Sequence, residues 1–317
     1  MYYTYDCPLT EQSPPVVSLI GAALGLGSSL SGCAQGPDIL RQHQPELLMS
    51  NAHVQAIWDE LIRANRSRPE NVVSTISRFC LALAERVKET IDNGERFTVI
   101  GGDHACAIGT WTGAAMAIAD RGPLGLVWID AHLDAHTPET SPSHCIHGMP
   151  VASLLGYGAP DLTDLLRPEA KLLPQHLCLV GVRSYEQDEI ELLKKLGVRI
   201  ILMEEIHRYG LEAALFEAVN IASSGTAGFG ISIDVDAIHT DDAPAVGTPA
   251  ADGIRATQLI SAIAKLNTGQ NLLGYEIAEF NPSLDIEEQT VNTICDLLVA
   301  TVANYSSVNR YPMSPSP

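Results

Sequence analysis

The chain has 317 residues, 46% of them hydrophobic and 18% charged, which is enough for one large α/β domain with a sizeable core and excludes a disordered or fibrous chain. The formal net charge of −19 argues against nucleic acid and membrane surfaces as partners, because an acidic surface repels phosphate backbones and anionic lipid. It suits cationic small molecules and metal ions, although an acidic balance also serves plain solubility. In chain order, the opening MYYTYDCPLTEQSPP has no basic segment followed by an apolar one, so no secretory signal is expected. No apolar run approaches the roughly 18 residues of a membrane span. The cysteines (Cys7, Cys33, Cys80, Cys106, Cys145, Cys178 and Cys295) are odd in number and form no CxxC pair, as expected of reduced thiols in a cytosol.

Short, nearly continuous apolar runs at 16–22, 97–102, 124–130, 176–182, 198–203, 228–234 and 271–278 read as parallel strands buried on both faces. Helical spacing recurs at 76–94, 186–197, 256–269 and 288–305. The second of these starts acidic and ends in Lys194, Lys195 and Gly197, as a helix dipole prefers. Strand–helix alternation without a linker or repeat predicts α/β architecture: a single-domain, three-layer α/β/α unit over 1–310 with a mostly parallel, open, doubly wound sheet. A closed eight-fold barrel fits less well, because the βα units are uneven. The Pro- and Ser-rich 311–317 is expected to fray.

Three predicted strands run into polar clusters: Asp103-His104, the segment DAHLDAH from Asp130 to His136, and Asp234-Val235-Asp236. In an open parallel sheet the carboxyl ends of the strands line one crevice, so these groups can converge. Crowded carboxylates repel at neutral pH unless a cation supplies counter-charge. Asp and His without Cys suit Mn, Fe, Co, Ni or Zn, and shared carboxylates suit a pair of ions about 3.5–4 Å apart that activates one water. Alternation along an extended segment puts Asp130 with His132, and Asp234 with Asp236, on one side. A lone DxD or DxH is weak evidence, since Asp also caps turns. Three such clusters, each directly after a buried strand, favour the metal reading.

The motifs GGDH (101–104), DAHLDAH (130–136), SIDVDA (232–237) and AEFNPSLD (278–285), with LSGCAQGPDILR (30–41), resemble the ureohydrolase superfamily of arginases, agmatinases, guanidinobutyrases and formiminoglutamases. The segment HTPETSPSHCIHGMPVA (136–152) is most similar to that of bacterial arginases. The resemblance implies two Mn²⁺ per chain, with Ni²⁺, Co²⁺ or Fe²⁺ as substitutes. His104, Asp130, Asp134 and Asp234 would hold one ion, and His132, Asp130, Asp234 and Asp236 the other. It implies attack of a bridging hydroxide on a guanidinium carbon, giving urea and an amine. His147 then matches a proton shuttle and Glu279 the carboxylate that holds the guanidinium, with Asp134 also in the catalytic set. Asp103 falls behind the ligands, Glu276 is a decoy within an apolar strand, and Thr248 sits near the metals. A cytoplasmic homotrimer or homohexamer acting on a cationic guanidino compound is implied as well.

The departures bear on substrate. Thr137 and Ser143 are as the resemblance expects, whereas His136 and Cys145 stand where arginases usually have Asn, and Ser184 and Glu186 where they usually have Asp. Glu186 can still meet an α-ammonium, Glu189 is acidic as the resemblance expects, and a protonated His136 can pair with an α-carboxylate. His239-Thr240 replaces Asp-Pro in a turn. The first expectation is therefore hydrolysis of L-arginine to urea and L-ornithine. Agmatine or guanidinobutyrate is the alternative, and a weakly active metal-binding subunit is a third reading that the presence of both His147 and Glu279 disfavours.

Overall fold

The computed structural model of the chain describes residues 14–50, 53–64 and 71–307. The N-terminal signal expectation, Cys7 and the tail 311–317 lie outside the described residues. Eight strands build one sheet: β1 (Val16–Ala23), β2 (Gln55–Arg63), β3 (Arg96–Gly101), β4 (Leu124–Ile129), β5 (Leu172–Val182), β6 (Arg199–Leu202), β7 (Gly228–Asp234) and β8 (Leu272–Ala278). Their order is β2-β1-β3-β8-β7-β4-β5-β6, and all the pairings are parallel. The outer strands β2 and β6 do not pair with each other, so the sheet is open and the barrel alternative is excluded.

Alternate residues of each central strand feed two separate cores. Val127 and Ile129 of β4, with Ile231 and Ile233 of β7, pack beneath the helices Leu211–Ser223, Ala256–Lys265 and Gln289–Ser307. Leu126 and Trp128 point the other way, toward the helices Val72–Asp92 and Ala107–Ala117. Those two helices touch closely because Gly109 and Gly113 have no Cβ: one built there would fall 2.6 Å from the Cys80 carbonyl oxygen and 2.3 Å from that of Ala84. Val72–Asp92 starts at Asn71, whose side chain accepts from the Ser74 amide at 2.8 Å.

The seven strand runs read from the sequence are all strands; β2 had no such signal. It is an edge strand with one neighbour, and Asp59, Glu60 and Arg63 break its apolar pattern. Ala107–Ala117 was missed for the opposite reason: Ala107 to Ala115 are all buried, so no polar face marks a helical period. The described cysteines are free thiols, all buried except Cys145. Among the described residues no helix is long and apolar enough to cross a membrane.

Candidate functional site

The polar clusters meet because their strands are neighbours, however far apart they lie in sequence. β3, β8, β7 and β4 are adjacent in the middle of the sheet. Ile100 is level with Ile277, Ile277 with Ile233, and Ile233 with Ile129. The residues just beyond this row are Asp103-His104, Glu279, Asp234 and Asp130, all at the carboxyl edge. Each strand-end Asp also turns the chain by capping an amide two residues on. Asp103 accepts from Ala105 at 3.1 Å, Asp130 from His132 at 2.7 Å, and Asp234 from Asp236 at 2.7 Å. Turn-capping and ligand roles thus coincide. The pairing of Asp130 with His132 and of Asp234 with Asp236 comes from these turns rather than from strand alternation, since β4 ends at Ile129 and Val235–Ala237 is a 3₁₀ turn.

Two groups of ligand atoms result. His104 Nδ1 lies 3.3 Å from Asp130 Oδ2, 3.1 Å from Asp134 Oδ2 and 3.0 Å from Asp234 Oδ2. His132 Nδ1 lies 3.5 Å from Asp130 Oδ1 and 3.1 Å from Asp236 Oδ2. Asp130 joins the groups through its two oxygens. Asp234 contributes to the first group, while its Oδ1 holds the Asp236 amide. His104 Nδ1 is buried and has no hydrogen bond of acceptable geometry despite three oxygens around it. An imidazole nitrogen facing several carboxylates without bonding to them fits a shared cation between them, and the donor set of nitrogen and carboxylate oxygen fits Mn²⁺ and its divalent neighbours.

The electrostatics agree. Burial, reinforced by the charge of Asp130, raises the Asp134 carboxyl to about 6. Burial and the neighbouring Asp236 and Asp130 push Asp234 well up. Burial opposes ionisation of Asp130 too, but the adjacent His104 and His132 imidazoles outweigh it and hold this carboxyl well below the carboxylate range. Such a cluster lacks positive charge. Asp134 and Glu279 also sit in the left-handed backbone region, with φ of 49° and 70°, strain that the surrounding packing sustains.

A cavity of about 170 Å³ opens over these groups, lined by His132, Asp134, His136, Ser143, His147 and Glu186, together with Thr248 and Asp236. Thr248 Oγ1 donates to Asp236 Oδ2 at 3.3 Å. A larger groove of 1010 Å³ beside Met203, Tyr209 and Arg255 carries none of the strand-end ligands. His147 stands on the cavity wall, with Nδ1 3.1 Å from Glu279 Oε1. Burial works against its charge, but the hydrogen bond and charge of Glu279 outweigh it and raise the imidazole to about 10.

The carboxylate of Glu279 is buried behind His147. Its Oε1 accepts from the His104 amide at 2.7 Å, and its Oε2 lies 3.5 Å from Cys33 Sγ. Asp103, also buried, accepts from the Gly27 amide at 2.7 Å, and the Gly27 carbonyl accepts from the His147 amide at 3.2 Å. Gly27 had no sequence signal, and Cys33 fell within the LSGCAQGPDILR resemblance without a role assigned to it.

At the far end of the cavity, His136 Nε2 lies 3.1 Å from Glu186 Oε2 and 3.4 Å from Glu189 Oε2, and its Nδ1 3.1 Å from Thr140 Oγ1. The position of Glu186 and Glu189 follows from helix capping: each accepts from the other's amide at the start of Gln187–Leu196. Thr137 and Cys145 belong to the same loop but do not line the cavity; Cys145 instead gives its amide to Ser143 Oγ at 3.2 Å. Ser184 is likewise off the wall, its amide bonded to the Ala131 carbonyl at 3.0 Å.

These shifts predict how the metal-free chain responds to pH. Asp134, raised from 3.8 to about 6, and His147, raised from 6.5 to about 10, both bind protons more tightly when folded. Their stabilisation is complete below the unfolded values and is lost as pH rises through the folded ones, over roughly pH 4–10. The melting temperature of the metal-free protein is therefore expected to fall between pH 5 and 8. Added Mn²⁺ should reverse the trend, because ion binding displaces protons and strengthens with pH. Calorimetry with and without chelator checks both; a metal-free melting temperature that rises over this range contradicts the assignment.

The sequence profile described as the Arginase family matches residues 16–303. An arginase of Bacillus caldovelox is 34% identical over 291 residues, spanning 89% of this chain and 96% of that protein. The crystal structure of an arginase from Bacillus cereus superposes with a TM-score of 0.84 at 30% identity, covering 90% of this chain and 98% of that one. A formimidoylglutamase from Bacillus subtilis, with a TM-score of 0.76 at 22% identity over 95% of this chain and 90% of that one, shares the fold.

Proposed function

The chain belongs to the arginase family of hydrolases acting on linear amidines, and on that premise we propose that it hydrolyses L-arginine to urea and L-ornithine with two Mn²⁺ held at the carboxyl edge of the sheet. The observation that carries this reading is the convergence of His104, Asp130, Asp134 and Asp234, and of Asp130, His132 and Asp236, on one small cavity with His147 on its wall. When bound, the ion pair supplies a nucleophilic water at neutral pH, where free hydroxide is scarce and guanidinium is a poor electrophile.

The chain's own residues do the rest. The carboxylates of Glu186 and Glu189, with Glu279 behind His147, make the cavity attractive to a cationic guanidino group. Glu279 keeps His147 charged and fixes its Nδ1, which leaves Nε2 to deliver a proton to the departing amine. Thr248 steadies Asp236. Glu186 takes the α-ammonium, and Ser143 and His136, which line the cavity, take the α-carboxylate. The soluble-thiol composition fits a cytoplasmic enzyme, and the resemblance to arginases suggests a homotrimer or homohexamer.

One observation narrows the expected selectivity: His136 already occupies Glu186, the acceptor an α-ammonium needs. L-Arginine is expected to exceed agmatine in kcat/KM, since agmatine leaves the carboxylate donors unpaired, but by less than the ~10⁴ such a mismatch can reach. Combining His136→Asn with Cys145→Asn should raise kcat/KM for arginine by freeing Glu186. Urea release from arginine, agmatine and guanidinobutyrate with Mn²⁺ tests this. A double variant that loses its best activity while arginine turnover stays negligible means that the loop serves a different guanidino compound. Ions bound with no urea from any of them would favour a binding subunit.

A further inference from the structure

Glu276 sits in the middle of β8, fully buried, and makes no ion pair with a cationic side chain among the described residues. Burying a carboxylate is costly unless its oxygens are well bonded. Here they are: Thr110 Oγ1 donates to Oε1 at 2.7 Å, Trp111 Nε1 to Oε2 at 3.0 Å and Ser232 Oγ to Oε2 at 2.8 Å, with Cys106 Sγ 3.4 Å from Oε1. Apolar residues at these positions would fill the same space without that cost, so the network calls for a reason beyond packing.

The register supplies one. Trp128, Ser232 and Glu276 are level with one another across β4, β7 and β8, and all three face the same layer. The His104 ring lies on this row, stacked on Trp128 with centroids 4.1 Å apart and planes 15° apart. Its Nε2 is 3.0 Å from Ser232 Oγ. A hydroxyl has one proton. Because Ser232 gives that proton to Glu276, its oxygen is left to accept from His104, so Nε2 must carry hydrogen. Nδ1 is then the nitrogen turned toward Asp130, Asp134 and Asp234. Trp111 reaches the carboxylate only because position 230 is glycine: a Cβ there would fall 1.9 Å from its ring.

We propose that Glu276 is a positioning residue for the metal site, which acts through Ser232 to commit His104 Nε2–H and thereby aims Nδ1 as a ligand. The proposal rests on the reading of His104 as a ligand. A partner of this kind orients the imidazole and raises its donor strength, and its loss usually weakens metal binding 10–100-fold.

The test uses Ser232→Ala, Glu276→Leu and Glu276→Gln, with Mn²⁺ titrated into the metal-free chains and followed by calorimetry and electron paramagnetic resonance. The parent should give the signal of a coupled Mn²⁺ pair. Ser232→Ala and Glu276→Leu should bind the His104-side ion 10–100-fold more weakly and show an isolated Mn²⁺ at one equivalent, while the ion held by His132 and Asp236 keeps its affinity. Glu276→Gln, which keeps an acceptor for Ser232, should recover the pair. A parent that binds no Mn²⁺ removes the premise and the proposal with it. Unchanged affinity for both ions in Ser232→Ala overturns the proposal alone and decides the matter even where Glu276→Leu fails to fold. A lower melting temperature in Glu276→Leu with the coupled pair intact also overturns it, by assigning Glu276 to the fold.

Discussion

Asp130→Ala is expected to lose both ions on dialysis and to release urea about 10³-fold more slowly than the parent. Among the described residues Asp130 is the carboxylate shared by both groups, Oδ2 facing His104 and Oδ1 facing His132. Without it each group keeps a histidine but loses the link that lets two cations share charge at close range. The charge stabilisation that bound ions give a hydrolytic transition state is worth several kcal/mol, and each ~1.4 kcal/mol is a factor of ten in rate, hence the figure of about 10³. Asp234→Ala should cripple the same site, with the heavier loss on the His104 side, where its Oδ2 points. Elemental analysis of the dialysed protein beside a urea assay checks both. Two retained ions with near-full activity in Asp130→Ala would refute the shared-carboxylate geometry.

His147→Ala is expected to lower kcat by roughly 10²–10⁴, the usual worth of a positioned acid or base, with metal content unchanged. The ring contacts Glu279 rather than any of the clustered ligand atoms, so its removal should leave the ions in place. Glu279→Gln should give part of the same loss by lowering the imidazole's affinity for its proton. Equal losses of metal and rate in His147→Ala would instead make His147 a structural residue or a ligand.

The sequence was most legible where strands are buried on both faces. β3, β4, β7 and β8 are nearly continuous apolar runs, and the polar residues at or just after their carboxyl ends mark the site. What it hid depends on contacts between distant segments. Glu276 reads as a misfit in an apolar run until register sets it level with Ser232 and beneath the helix that carries Thr110 and Trp111. Cys33 and Gly27 act through a carbonyl or carboxylate far along the chain. Glu279 was legible only through the resemblance: nothing local in the sequence shows that its carboxylate meets the His147 ring and the His104 amide from a left-handed backbone. The loop from His136 to Cys145 was the least legible, because which of its side chains reach the cavity is set by local turns such as that of Ser143.

The measurement that bears most directly on the paired-ion account is a titration of the metal-free chain with Mn²⁺ at saturating L-arginine, with urea and ornithine counted together. The account predicts equal amounts of the two products and a rate that climbs to a plateau at two ions per chain. A plateau at one ion, or ions bound with no urea formed, would contradict it.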